Sequence, residues 1–184
     1  MSQIVTNSYR YAECEPIVFE QAFTADQNMA GGMYGITYSQ SGTRIDNVGT
    51  GQTLIGQEVN KVSFDVGVLG SPTGTIYARV YEMDGDPNAP SGDNYRYEYG
   101  SMSVGSWGTS TIITFENTSD NYTIANGDVH ALWFNGGDTN NRVYCRGKAP
   151  VTVSGLAWTE YNTSEDWNLV TNSQGWIKLE KPCP

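Results

Sequence analysis

Residues 61–82, KVSFDVGVLGSPTGTIYARVYE, constrain the fold more than any other stretch of the chain. Val62, Phe64, Val66 and Val68 alternate with Lys61, Ser63, Asp65 and Gly67. Ile76, Ala78 and Val80 alternate with Thr75, Tyr77, Arg79 and Tyr81. A period of two sustained over a whole run is that of a strand with one face buried. β-Branched and aromatic residues dominate both runs and suit a pleated surface. Between them, Gly70-Ser71-Pro72-Thr73-Gly74 reads as a tight turn, because Pro presets φ and Gly accepts positive φ. The expectation is a strand pair that nucleates a sandwich, with the remaining chain building a second sheet over it.

The rest of the chain continues in the same idiom. Strands are expected near residues 17–24, 33–39, 43–48, 95–99, 111–115, 122–124, 128–134, 142–146, 151–158 and 175–180. Residues 128–134 carry apolar side chains on both faces, with Val129, Ala131 and Trp133 opposite Leu132 and Phe134, so this run is expected to be a central strand. Asn126-Gly127 before it is a turn signal. Gly49-Thr50-Gly51 breaks the pattern. The stretches 83–94 and 135–141 are too rich in Pro, Gly, Asp and Asn for strands. No window carries a convincing helical stripe; the nearest, residues 15–28, is interrupted by Pro16 and a β-rich IVF. About ten or eleven short strands without βαβ units predict an all-β sandwich or barrel. Residues 1–16 read as an N-terminal arm or edge segment, 17–180 as a single domain, and 181–184 as a tail. At 184 residues one domain is the natural division.

Composition narrows the partners. With 38% hydrophobic and 16% charged residues the chain can build a core and is not expected to be disordered. A formal net charge of −10 repels phosphate backbones, so nucleic acid is not an expected partner. No apolar run is long enough for a membrane span. The N-terminus, MSQIVTNSYRYAECEP, lacks a basic region followed by an apolar one and does not read as a secretory signal. If Met1 is the natural start, the chain is expected to fold first in a cytoplasm; if it is an added initiator, the sequence leaves room for a signal that was cut away.

Few groups invite catalysis. His130 is the sole histidine and lies in the two-sided strand, where a core role outweighs that of a base. There is no GxSxG elbow and no phosphate-binding glycine motif. Glu82-Met83-Asp84-Gly85-Asp86 approaches the paired-carboxylate pattern of sandwich glycanases but runs into a Pro/Gly loop. The expectation is a non-enzyme. Cys14, Cys145 and Cys183 have no metal-ligand spacing; Cys145 reads as a buried free thiol, and Cys14 and Cys183 as a candidate bridge between the termini.

Two clusters are candidate binding sites. Asp84, Asp86, Asn88 and Asp93 bring oxygen donors to one acidic loop, the set a calcium ion prefers. The loop fails the EF-hand template, with Ala89 at the sixth position and Tyr95 at the twelfth, and a solvated turn whose Asx side chains bond their own backbone explains it equally simply. No cofactor is otherwise required. Trp158, Tyr161, Asn162 and Trp167 combine aromatic rings with amides and carboxylates in an expected loop. That mixture stacks a sugar ring and bonds its hydroxyls, and it equally anchors protein interfaces or simply packs. Asn117, Asn121 and Asn162 head glycan-acceptor sequons, which matter only where a glycosylation machinery is met.

Residues 54–134 resemble a known kind of jelly-roll module. The marks are Leu54-Ile55-Gly56, the run from Val59 to Phe64, Gly70-Ser71-Pro72-Thr73-Gly74-Thr75, Val80-Tyr81, and the run from Tyr122 to Asp128 before an apolar strand. Modules of this look occur in phage and archaeal-virus structural proteins and in secreted or surface proteins of prokaryotes, and they are similar to carbohydrate-binding sandwiches. The resemblance implies an antiparallel jelly-roll β-sandwich of about ten strands. It also implies either of two roles. One is a structural subunit of a virion or comparable surface assembly (capsid, decoration or tail component), partnered by copies of itself or by other virion or surface proteins. The other is a monomeric carbohydrate-binding module of a secreted or cell-surface protein, partnered by glycans.

Overall fold

A computed structural model describes residues 17–28, 33, 40–82, 95–105, 107–150, 152–161, 167–170 and 173–182. Among these residues the elements run β1 (Ile17–Glu20), β2 (Gln27–Asn28), β3 (Gln40–Ile45), α1 (Gly49–Leu54), β4 (Glu58–Val59), β5 (Lys61–Leu69), β6 (Thr75–Glu82), β7 (Tyr97–Ser103), β8 (Thr111–Glu116), β9 (Tyr122–Thr123), β10 (Asp128–Phe134), β11 (Arg142–Lys148), β12 (Leu156–Tyr161), β13 (Trp167–Val170), β14 (Gln174–Gly175) and β15 (Ile177–Glu180). Among the described residues every strand pairing is antiparallel, and the structure is all-β apart from α1. Among the described residues no helix is long and apolar enough to cross a membrane.

The two runs of residues 61–82 are strands, but they do not pair. β5 lies in a seven-stranded sheet, with β8 along one edge and β15 and then β11 along the other. β6 lies in a six-stranded sheet ordered β13-β12-β3-β10-β6-β7. The link 70–74 therefore carries the chain from one sheet to the other. Gly70 at φ 69° and Gly74 at φ 142° make the two reversals that a Cβ would oppose. Period-two alternation identifies the core-facing side chains correctly and is silent on pairing. Val62, Phe64 and Val66 on β5 and Ile76, Ala78 and Val80 on β6 are each at most 1% exposed, and all belong to one apolar cluster. Both sheets contribute to that cluster, so the core sits between them. Each large aliphatic or aromatic side chain buried there stabilises the fold by roughly 1.5–3 kcal/mol.

β10 is central as expected, hydrogen-bonded to β3 on one side and β6 on the other. His130, Leu132 and Phe134 face the core, while Val129 and Ala131 join Tyr81 in a second small apolar cluster. Cys145 is a buried free thiol on β11; Cys14 and Cys183 lie outside the described residues. Its Sγ sits 3.9 Å from the Ser41 carbonyl oxygen of the other sheet. Of the strand expected over 33–39, Met33 is described: it is fully buried and forms an isolated bridge with Val143.

The sequence break at 49–51 is instead the start of a helix of six residues. Gly49 to Leu54 has no apolar stripe of its own, and Val48 provides no side-chain cap. Tertiary contact holds it in place. Gly51 lies against Gly155, where an added Cβ would meet the Gly155 carbonyl oxygen at 2.3 Å. Gly155 has φ 79°, and a Cβ there would meet the Val48 carbonyl oxygen at 1.8 Å. Gly155→Ala is therefore expected to lower stability by roughly 2–3 kcal/mol, from left-handed strain plus collision, read as a fall in the urea midpoint. An unchanged midpoint would show that this contact is not what seats α1.

Candidate functional site

Among the described residues, the outer face of the six-stranded sheet carries a dense group of chemically distinctive side chains. Alternation along β6 turns Tyr77 and Arg79 away from the core. Register then places Trp133 of β10 opposite Tyr77, and Glu98 of β7 opposite Arg79. The Arg79 guanidinium carbon lies 4.4 Å from the Tyr77 ring centroid, 4.2 Å from that of Tyr95 and 4.8 Å from that of Trp133. Its Nε donates to Glu98 Oε2 at 2.7 Å. Burial works against the Arg79 charge, but the Glu98 and Tyr81 side chains outweigh it and hold the pKa above its ordinary value. Arg79 is itself only 6% exposed, whereas Tyr95 is 38% exposed and Tyr77 and Trp133 are half-buried. The Trp133 Nε1 is buried without a hydrogen-bond partner. The arrangement is an aromatic platform clamped by a cation, and such rings offer flat apolar faces to a ligand or neighbour.

The sequence-predicted contact residues divide here. Trp158 does not lie in a loop. It is in β12, opposite Thr43 of β3 and Val170 of β13, and is 1% exposed. Its Nε1 donates to Glu160 Oε1 at 3.2 Å, and its ring lies over Gly175. Trp158 is a core residue, because the Leu156–Trp158 alternation extends into the strand instead of stopping at it. Tyr161 and Trp167 are directly paired in register across β12 and β13. Asn162 falls outside the described residues. So do Asp84, Asp86, Asn88 and Asp93, the calcium candidates. Among the described residues no three His, Cys, Asp or Glu side chains form a group that could hold a metal ion.

His130 sits in a buried polar network at one end of the core. It is fully buried, and its Nδ1 lies 2.8 Å from the Tyr99 hydroxyl. Its Nε2 is buried without a partner. Burial pushes the His130 pKa down to about 3, so the ring is neutral at ordinary pH. Asp128, also fully buried, accepts from Ala125 N at 2.6 Å, Tyr122 Oη at 2.8 Å and Arg96 Nη1 at 3.0 Å. Burial raises its pKa more than these three donors lower it. Arg96 also bridges to Glu82. The Tyr97 hydroxyl donates to the Asp120 carbonyl oxygen at 2.7 Å, and burial raises that phenol to about 12. The network ties β7, β9 and β10 together and exposes no histidine surface to a substrate.

Among the described residues, two surface hollows are well defined. One, of ≈ 330 Å³, lies on the outer face of the seven-stranded sheet beneath residues 20–25, with Asp65, Ile112 and Trp176 in its lining. Asp65 is engaged already, by Ser110 Oγ at 3.0 and 3.1 Å and by Arg146 Nη1 at 3.8 Å. The other, of ≈ 450 Å³, lies among the links after β5 and β7 and is lined in part by Trp107. Neither Trp107 nor the Arg79 group stood out in the sequence. The outward alternation of Tyr77 and Arg79 was a signal for the second, but its partners come only from register.

No protein-family model, curated protein or solved structure matches the chain. Fold and surface therefore define its class on their own: an all-β, sandwich-like protein with an aromatic platform on one sheet.

Proposed function

We propose that the chain is a non-enzymatic jelly-roll subunit of a virion or comparable surface assembly, as a capsid, decoration or tail component. Strand order carries this reading. In one sheet the sequence of neighbours is β2-β11-β5-β8, and in the other β3-β10-β6-β7. Taken along the chain, β2, β3, β5, β6, β7, β8, β10 and β11 alternate between the sheets except at the β6–β7 hairpin. This order supports the reading of a jelly roll, eight strands wound as two Greek keys, an architecture shared by viral capsid and lectin domains. β12 and β13 extend the second sheet beyond β3.

The edges of the first sheet support assembly. Ile17 on β1 is 49% exposed and Ile112 on β8 is 60% exposed. Unpaired edges with apolar side chains template association unless a neighbour covers them. Residues 1–16 and 181–184 are the proposed inter-subunit arms, and the assembled virion or extracellular surface the proposed location. Light scattering after size exclusion, at two concentrations, is expected to show a stable oligomer or larger particle. Deleting residues 1–12 is expected to lower that mass while leaving the unfolding midpoint within error. A 20.2 kDa monomer at both concentrations would overturn self-assembly.

A second reading rests on the platform of Tyr77, Tyr95 and Trp133 around Arg79. It makes the chain a carbohydrate-binding module of a secreted or surface protein, with glycan laid across the outer face of the six-stranded sheet and Tyr161 and Trp167 as proposed contacts. Trp167→Ala is then expected to abolish glycan retention with the fold intact.

A further inference from the structure

One end of the sandwich gathers three links: residues 70–74 after β5, the described residues 104–105 and 107–110 after β7, and residues 135–141 after β10. The ≈ 450 Å³ hollow opens between the first two, and its lining includes Trp107, Val104, Pro72, Ser71 and Thr73. None of the described residues that line it is ionisable, although the chain carries 10 basic and 20 acidic residues. A charged ligand placed here would lose hydration without gaining a partner, so the hollow favours a neutral occupant.

The walls are set before any ligand arrives. Ser71 N donates to Asn141 Oδ1 at 2.9 Å, and Thr75 N donates to Asn135 Oδ1 at 3.0 Å. Asn141 is itself held by Asp138, whose carboxylate oxygens accept from Asn141 Nδ2 at 3.1 and 3.0 Å. Gly136 sits so close to the 70–74 link that a Cβ on it would meet the Thr73 carbonyl oxygen at 2.2 Å. The third link thus braces the first. A pre-ordered cradle lowers the ordering cost of binding. Trp107 is half-buried and packs against the main core, which fixes the indole, while Ser71 and Thr73 are exposed.

We propose that this hollow is a binding subsite for one or two pyranose units of a neutral glycan. The indole offers an apolar face for the C–H face of the sugar, and the hydroxyl-bearing link opposite it offers groups for the ring hydroxyls. The volume lies within the range of small-molecule sites. The subsite is separate from the outer-face platform, and it stands whether the chain works in an assembly or alone.

The test is calorimetric titration of the full chain with maltotriose, cellotriose, xylotriose and chitotriose. Wild type is expected to bind at least one of them. Trp107→Ala is expected to weaken that binding tenfold or more. Trp107 also packs on the core, so Thr73→Trp, at an exposed link position, provides the second variant: it fills the hollow and is expected to weaken binding as strongly with an unchanged unfolding midpoint. Binding in which Thr73→Trp equals wild type while Trp167→Ala abolishes it would overturn this subsite and leave the outer-face reading standing. Binding of none of the four by wild type would overturn the subsite outright.

Discussion

Replacing Trp158 with alanine is expected to destabilise the protein by about 3–5 kcal/mol, the range for emptying an aromatic site in a packed core. Domains of this size are stable by only roughly 5–15 kcal/mol, so the variant would sit near the edge of folding. The argument rests on what surrounds the ring. Trp158 is 1% exposed and stands in a strand flanked by β3 and β13. A Cβ built on Gly175 would come within 2.1 Å of the indole Cζ3, so the ring occupies the place where any other residue at 175 would put its side chain. The two positions must then be coupled. Gly175→Ala alone is expected to destabilise, because neither the strand backbone nor the buried ring can retreat cheaply. In the double variant the collision disappears, and the summed loss should exceed the measured one by 1 kcal/mol or more. Urea melts of the four proteins test this. Additive losses, or a Trp158→Ala variant as stable as wild type, would mean the indole is not wedged against Gly175.

Trp158 also marks where sequence reasoning reached its limit. The strands themselves were legible: alternation at Val62, Phe64 and Val66, or at Ile76, Ala78 and Val80, records which side chains meet the core. Whether two consecutive strands pair is not recorded, since a hairpin and a crossing between sheets bury the same residues. Pairing is decided by the link, and Gly70 to Gly74 serves either purpose. α1 was illegible for a different reason. Gly51 and Gly155 are small so that backbones can touch, and that contact leaves no periodic trace. Composition from Trp158 to Trp167, aromatics among amides, points to a loop, whereas the alternation of Leu156 and Trp158 carries the better information about Trp158. The Arg79 platform needed the β6, β7 and β10 registers to be known together. The Trp107 hollow needed three links that are distant in sequence.

The second large effect concerns acid. The unfolded chain takes up a proton on His130 near pH 6.5, whereas the fold, which buries the ring, resists protonation down to about pH 3. Between those values the unfolded state holds the extra proton, so the contribution of His130 is fully present above pH 6.5 and is lost as the pH falls. The slope approaches one proton, about 1.4 kcal/mol per pH unit, and the loss from pH 6 to pH 4 is expected to be about 2–2.5 kcal/mol. Other groups contribute with the opposite sign. Burial raises the pKa of Asp128, two residues along the same strand face, and of Glu160, so each favours the fold more as the pH falls through its raised value. Tyr99 and Tyr122, whose rings lie 6.0 and 6.3 Å from the imidazole, are shifted upward and stay neutral throughout. The clean measurement is therefore a difference. His130→Gln keeps an acceptor for the Tyr99 hydroxyl and removes the titrating ring. Whatever fixed loss the substitution brings, the gap between wild type and variant should narrow by about 2 kcal/mol on going from pH 6 to pH 4. Parallel stability curves for the two proteins would show that the imidazole is not held neutral by the core, and that the Tyr99 contact is open to water.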